Sequence, residues 1–162
     1  IGLSNGADLI PLSSEIRHAN AYVRLMNQRF GQSIRFMYHL APGLSHHLIV
    51  KTILQPLVEN SIKHGFGVDS PGIPISTPAI EVIITAEEDE LVININDNGS
   101  GFEPSELDEL LKKSSTAKGG HVGILNVYQR LTAYYGAEKV YISFSSIPYY
   151  CNVISIRIPL GS

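Results

Sequence analysis

The chain has 162 residues, which predicts one domain able to bury roughly 70% of its unfolded surface. Twelve Lys and Arg against 15 Asp and Glu give a net charge of −3, and hydrophobic residues reach 44% while charged ones are 17%. That balance excludes a disordered chain and a basic binder of nucleic acid or anionic membrane. A single cysteine, Cys151, excludes an internal disulfide and a cysteine-based zinc module, and it fits a reducing compartment. No apolar run approaches the ~20 residues of a membrane span, and no signal-peptide pattern opens the chain. It begins at Ile1 rather than Met, so a piece of a longer protein is expected.

Residues 1–11 read as an irregular lead-in. Ser13 or Ser14 is a fitting N-cap for a helix running to Phe30 and stopped by Gly31, with Ile16, Ala19, Val23, Met26 and Phe30 on one face. A short strand is expected over 33–40, closed by the Ala41-Pro42-Gly43 turn. A longer helix is expected from Ser45 to His64, ended by Gly65. Its stripe of Ile49, Ile53 and Leu57 continues into Asn60 and His64, so it starts apolar and ends polar. Residues 68–78 hold three prolines and read as a loop. Four alternating segments follow in two pairs, one on either side of residues 87–90 and one on either side of Pro148-Tyr149-Tyr150. Their period of two predicts an antiparallel sheet covered on one side. Between the pairs lie a short acidic helix (104–113), a Ser/Thr/Gly/Lys loop (114–120) and a helix from Val122 to Tyr135.

Three constellations stand out chemically. Asn60, Lys63 and His64 share one helix face at i, i+3 and i+4, combining an amide oxygen suited to Mg²⁺, a phosphate counter-charge and an imidazole. Read alone, Lys63 and His64 equally serve a helix C-terminus capped by Gly65. Asp97-Asn98-Gly99-Ser100-Gly101 contains the Asn-Gly signal of a hairpin turn. However, Asp97 continues the face of Leu91, Ile93 and Ile95, which aims its carboxylate at the covered side, where it needs a donor. A ligand amino group would serve, and Gly99 and Gly101 would let a flat ring approach the backbone. Finally, Gly119, Gly120 and Gly123 surround the start of the last helix, a place where free N–H groups can meet phosphate, though a flexible loop explains them as well.

Taken in order, Gln55-Pro-Leu-Val-Glu-Asn60-Ser-Ile-Lys63-His64-Gly65, then Asp97-Asn-Gly-Ser-Gly101, then Gly-Ile-Leu-Asn-Val-Tyr-Gln-Arg-Leu (123–131) with Tyr-Tyr-Gly (134–136), resemble the LytS/YesM-type sensor histidine kinases. These belong to the GHKL ATP-binding superfamily together with gyrase and MutL. Leu12-Ser-Ser-Glu-Ile16 and Tyr22 through Gly31 resemble the helix that enters this domain. The likeness spans residues 10–160.

The resemblance implies an α/β two-layer sandwich, a mixed and mostly antiparallel sheet with helices on one face, of the Bergerat or GHKL type. It implies a lead-in at 1–11 from an upstream region and a single ATP-binding catalytic domain over 12–162. Asn60 would hold the Mg²⁺ that bridges the ATP phosphates, Lys63 would contact phosphate, and His64 would line the nucleotide. Asp97 would accept the adenine amino group, with room for the base at Gly99 and Gly101. Gly120 and Gly123 would hinge a lid and offer N–H groups to phosphate, and Glu59 would polarise the metal site or assist a proton transfer. His121 stands where the family has the first glycine of its Gly-x-Gly-Leu motif. Cys151-Asn152 replaces the Gly-Thr pair beside adenine, leaving Asn152 to hydrogen-bond there.

The implied function is donation of the ATP γ-phosphoryl group to a histidine on a dimerisation helix outside the chain, in a two-component system with a downstream response regulator. The implied parent is a homodimer anchored in a bacterial membrane, with this domain cytoplasmic. None of the six histidines lies in the Asn-Pro-His-Phe context of the phosphoacceptor. Two rivals remain: a hydrolysing GHKL ATPase, which places Glu where this chain has Pro56, and a non-catalytic nucleotide-sensing module.

Overall fold

A computed structural model describes residues 8–67, 75, 77–113 and 121–161. In chain order the elements are β1 (Leu9–Pro11), α1 (Leu12–Phe30), β2 (Arg35–Leu40), β3 (Leu48–Val50), α2 (Leu54–Asn60), β4 (Ala79–Glu87), β5 (Glu90–Asp97), α3 (Pro104–Lys113), α4 (Val122–Tyr135), β6 (Tyr141–Ile147) and β7 (Cys151–Pro159). The five longer strands form one sheet in the order β2-β4-β5-β7-β6. Only the β2–β4 pair is parallel, so the sheet is mixed and mostly antiparallel.

Alternation decides which face is covered. Ile80, Val82 and Ile84 of β4, Leu91, Ile93 and Ile95 of β5, and Ile154, Ile156 and Ile158 of β7 are all buried. The register sets them side by side, with Ile84 opposite Ile93 and Ile93 opposite Ile156. Ile16, Ala19 and Val23 of α1, Leu57 and Val58 of α2, and Ile124, Val127 and Leu131 of α4 close over them as one core. This is the expected two-layer sandwich. The expected α1 ends at Gly31, whose φ of 64° is the left-handed cap that glycine adopts without a Cβ penalty.

Several expectations fail. Neither Ser13 nor Ser14 caps α1, which begins at Leu12 after Pro11 and gives its first N–H groups to the His47 and Ser45 carbonyls, and Phe30 is exposed rather than on the buried face. Residues 9–11 are not irregular: β1 pairs antiparallel with β3, Leu9 opposite Val50. The single helix expected over 45–64 is instead a turn, the strand β3, and α2 followed by a π-helical turn at Ser61–Gly65. Leu48-Ile49-Val50 suits a strand, and Thr52, with φ 64°, separates it from the helix. The apolar spacing that suggested one helix is satisfied by both pieces, because Ile49, Ile53 and Leu57 are all buried.

The start of α2 also accommodates Pro56, which would interrupt a single helix over 45–64. It is the third residue of that helix, where a backbone N–H has no intrahelical partner to lose. The free N–H groups around it go to α1. The Glu15 carboxylate, 1% exposed, accepts the N–H groups of Thr52, Ile53 and Leu54 at 2.8, 2.7 and 2.9 Å. An anion thus sits at the positive end of α2. The loops at 68–74 and 114–120, with Gly119 and Gly120, lie outside the described residues.

Candidate functional site

The end of β5, the start of β7 and the last turn after α2 meet above the sheet. Register puts Asp97 directly opposite Asn152. Asp97 Oδ1 accepts the Gly99 N–H at 2.8 Å and Asn152 Nδ2 at 3.0 Å, and Oδ2 accepts the Ser61 hydroxyl at 2.7 Å. Each carboxylate oxygen offers about two lone pairs. Oδ2 therefore keeps one acceptor position for a further donor.

Asn152 is buried, and its amide has a defined orientation. Nδ2 also donates to the Gly99 carbonyl at 3.0 Å, while Oδ1 accepts the Ser146 hydroxyl at 2.7 Å. Ser146 Oγ in turn accepts the Phe102 N–H at 3.1 Å. The chain Phe102–Ser146–Asn152–Asp97 runs donor to acceptor without a break.

Other parts of the protein pack against the glycines here, backbone at Gly99 and side chains at Gly101. A Cβ on Gly99 would lie 2.5 Å from the Gly65 carbonyl oxygen, and that oxygen accepts the Ser100 N–H at 2.7 Å. Gly101 has φ +87°, and a Cβ there would lie 2.6 Å from Ser146 Oγ. Gly123 faces α2, where a Cβ would stand in ordinary contact, 3.4 Å from the Pro56 carbonyl oxygen.

Asn60, Ser61, His64, Gly65, Asp97, Gly101, Phe102 and His121 line a cavity of about 10 Å³, room for one water. His121 closes it. Its Nδ1–H donates to Asn60 Oδ1 at 3.2 Å, and its ring centre lies 5.3 Å from that of His64. Burial lowers the His121 pKa below 6.5, the nearby His64 lowers it further, and Glu106 opposes both. The structure thus brings together Asn60, His64, Asp97, Gly101 and Asn152. Glu59 and Lys63 do not line this cavity: Glu59 is half-buried beside it and Lys63 points to solvent. Gly120 lies outside the described residues.

Residues 46–162 match the family described as histidine kinase-, DNA gyrase B-, and HSP90-like ATPase. The sensor protein LytS of Oceanobacillus iheyensis is 34% identical over 81% of this chain. The chain spans 22% of the length of that relative. Among solved structures, the Acinetobacter baumannii histidine kinase AdeS superposes with a TM-score of 0.65 at 15% identity, over 97% of this chain and 68% of AdeS. The catalytic domain of the histidine kinase ThkA gives 0.62 at 12% identity, over 94% of this chain and 95% of that domain. The chain therefore belongs to the histidine kinase-, DNA gyrase B-, and HSP90-like ATPase family. Within it, the chain is an ATP-binding catalytic domain of the LytS type.

Sequence reasoning passed over Ser61, Phe102 and Ser146. Ser146 was within reach. The alternation that sets Phe144 against Ile154 also sets residue 146 against residue 152, and the structure has that pair. Ser61 was not, because the π turn that aims it at Asp97 has no local sequence mark.

Proposed function

We propose that this domain binds Mg-ATP through the Asp97 cluster and donates the γ-phosphoryl group to a histidine on a dimerisation helix elsewhere in the parent protein. Asp97 carries this reading. Its carboxylate is acceptor-only, held by three donors, and keeps one lone pair on the cavity side, which suits an exocyclic amino group. Asn152, fixed by Ser146, holds that carboxylate in place.

Asn60 fits a Mg²⁺ ligand: it lines the cavity, and among the described residues its amide oxygen accepts only the displaceable His121 N–H. Bound there, the ion would neutralise phosphate charge. Lys63, exposed on the turn that carries His64, supplies a further counter-charge to phosphate, and His64 packs against the nucleotide. Glu59 assists a proton transfer. Gly123 faces α2 from the start of α4, and Gly99 and Gly101 give the Asp97 turn its shape beside the base. Gly120 offers its N–H group to phosphate. Binding requires His121 to leave Asn60, because the present cavity is far smaller than a nucleotide.

Catalysis in this reading is positioning and charge neutralisation. Pro56 has no acid–base chemistry, which favours transfer over hydrolysis. Residues 12–162 act as one catalytic unit of a homodimeric, membrane-anchored sensor whose product passes to a response regulator. Among the described residues no helix is long and apolar enough to cross a membrane.

Calorimetry with ATP and GTP tests the base assignment. A charge-assisted hydrogen bond contributes ~1.5–3 kcal/mol, so Asp97→Ala should lose roughly 10- to 150-fold in ATP affinity. Equal affinity for ATP and GTP, or an Ala variant that binds like wild type, removes Asp97 from the site.

A further inference from the structure

Asn60, His64 and His121 form a cluster that the binding of Mg-ATP does not explain. Imidazole is a poor partner for Mg²⁺, which takes oxygen ligands, and a good one for zinc-class ions. We propose that the amide oxygen of Asn60 and the imidazoles of His64 and His121 bind a zinc-class transition-metal dication in the nucleotide-free domain, in competition with Mg-ATP.

Two separations support this. Ligand atoms ~2.0–2.1 Å from a tetrahedral ion stand about 3.4 Å apart. The His121 Nδ1 to Asn60 Oδ1 separation is 3.2 Å. Two imidazoles sharing such an ion have ring centres roughly 5 Å apart, and those of His64 and His121 are 5.3 Å apart, tilted by 45°. All three residues line the same small cavity. The proton on His121 Nδ1 moves to Nε2 as the ion takes its place, so coordination releases no proton from that ring. A fourth position is left to water. Among the described residues no three His, Cys, Asp or Glu side chains gather as metal ligands. The site thus depends on the amide, and it is a displaceable site rather than a structural one.

The competition rests on the ATP reading above, because a single amide oxygen would serve both ions. A zinc-class ion would hold His121 on Asn60 and keep the cavity shut.

The test uses the full 162-residue chain without nucleotide, titrated with Co²⁺ and followed by its visible absorption, then with Zn²⁺ displacing Co²⁺. One ion per chain with an intense tetrahedral band is expected. His64→Ala and His121→Ala should each weaken it at least 10-fold, with far-ultraviolet circular dichroism unchanged. His46→Ala/His47→Ala, at the other histidine pair, should leave it intact. Absence of the band, or binding lost only in the His46/His47 variant, overturns the proposal. In a second arm, Zn²⁺ should raise the apparent Kd of Mg-ATP in the wild type and leave it unaltered in His121→Ala. An equal Zn²⁺ effect on both proteins overturns the competition. A chain that binds Co²⁺ as expected but no ATP refutes the nucleotide reading alone.

Discussion

Asn152 holds a position where an amide is more demanding than a hydroxyl. It donates to Asp97 Oδ1 and to the Gly99 carbonyl while accepting from Ser146, so truncation strands several buried groups at once. Each stranded group costs ~1–3 kcal/mol. Asn152→Ala should therefore lower the melting temperature and weaken ATP binding by at least 10-fold. Ser146→Ala should weaken ATP less, because Asn152 still donates from Nδ2 to Asp97 and the Gly99 carbonyl. Thermal melts and calorimetry on both variants check the order, and the reverse ranking would show that Ser146 reaches the nucleotide itself. Gly99→Ala brings a methyl to 2.5 Å from backbone that cannot rotate away. It should destabilise the fold even without nucleotide, as a denaturant midpoint would record.

Among elements, the entry of α2 depends most on its surroundings. Its first N–H groups are capped by Glu15, whose side chain comes from 37 to 39 residues earlier. Glu15→Gln keeps the shape but removes the charge and replaces one acceptor with a donor facing N–H groups. A loss of ~2–4 kcal/mol is expected by urea unfolding. A loss under ~0.5 kcal/mol, the range of an ordinary surface change, would mean that water can replace the carboxylate. The same contact explains what the sequence could not show. α3, α4 and the paired strands have their own periodicity and stops and fall where they were expected, and α1 does so at its Gly31 end, though its start lies at Leu12 rather than after a serine cap. α2 and β3 do not, since one apolar spacing fits both a helix and a strand followed by a helix, and a distant carboxylate decides between them. The site follows the same division. Asp97 was legible from strand parity and Asn152 from motif position, whereas the π turn that aims Ser61, and the closure of His121 onto Asn60, are tertiary outcomes.

For the whole molecule, phosphoryl transfer requires an acceptor held in line with the γ-phosphate. Incubated with γ-labelled ATP, the 162-residue chain should neither label itself stably nor release phosphate quickly, and label should appear at histidine on a separately supplied acceptor helix. Rapid phosphate release by the chain alone would favour the hydrolysing reading. Stability should also fall in alkali. Burial pushes the Tyr135 phenol up from 10.0 to about 12, with Tyr134 adding to it and a Val50 backbone hydrogen bond opposing. Below pH 10 the phenol is neutral in both states and its full contribution is present. Between pH 10 and about 12 the unfolded chain ionises first, so that contribution is lost. Urea melts below and within this window should show a smaller alkaline loss in Tyr135→Phe than in the wild type.

The strand order has a consequence for synthesis. β7 lies inside the sheet, between β5 and β6, yet it is the last strand made. Until residues 151–159 leave the ribosome, β5 has an open edge and Asp97 lacks Asn152. A nascent or truncated chain ending at Tyr150 should thus expose a ready template for intermolecular strand addition. It should bind no nucleotide and precipitate, and a peptide of residues 151–160 added during refolding should restore both solubility and the ATP site. The proposed nucleotide site therefore waits on the last-made strand of its sheet.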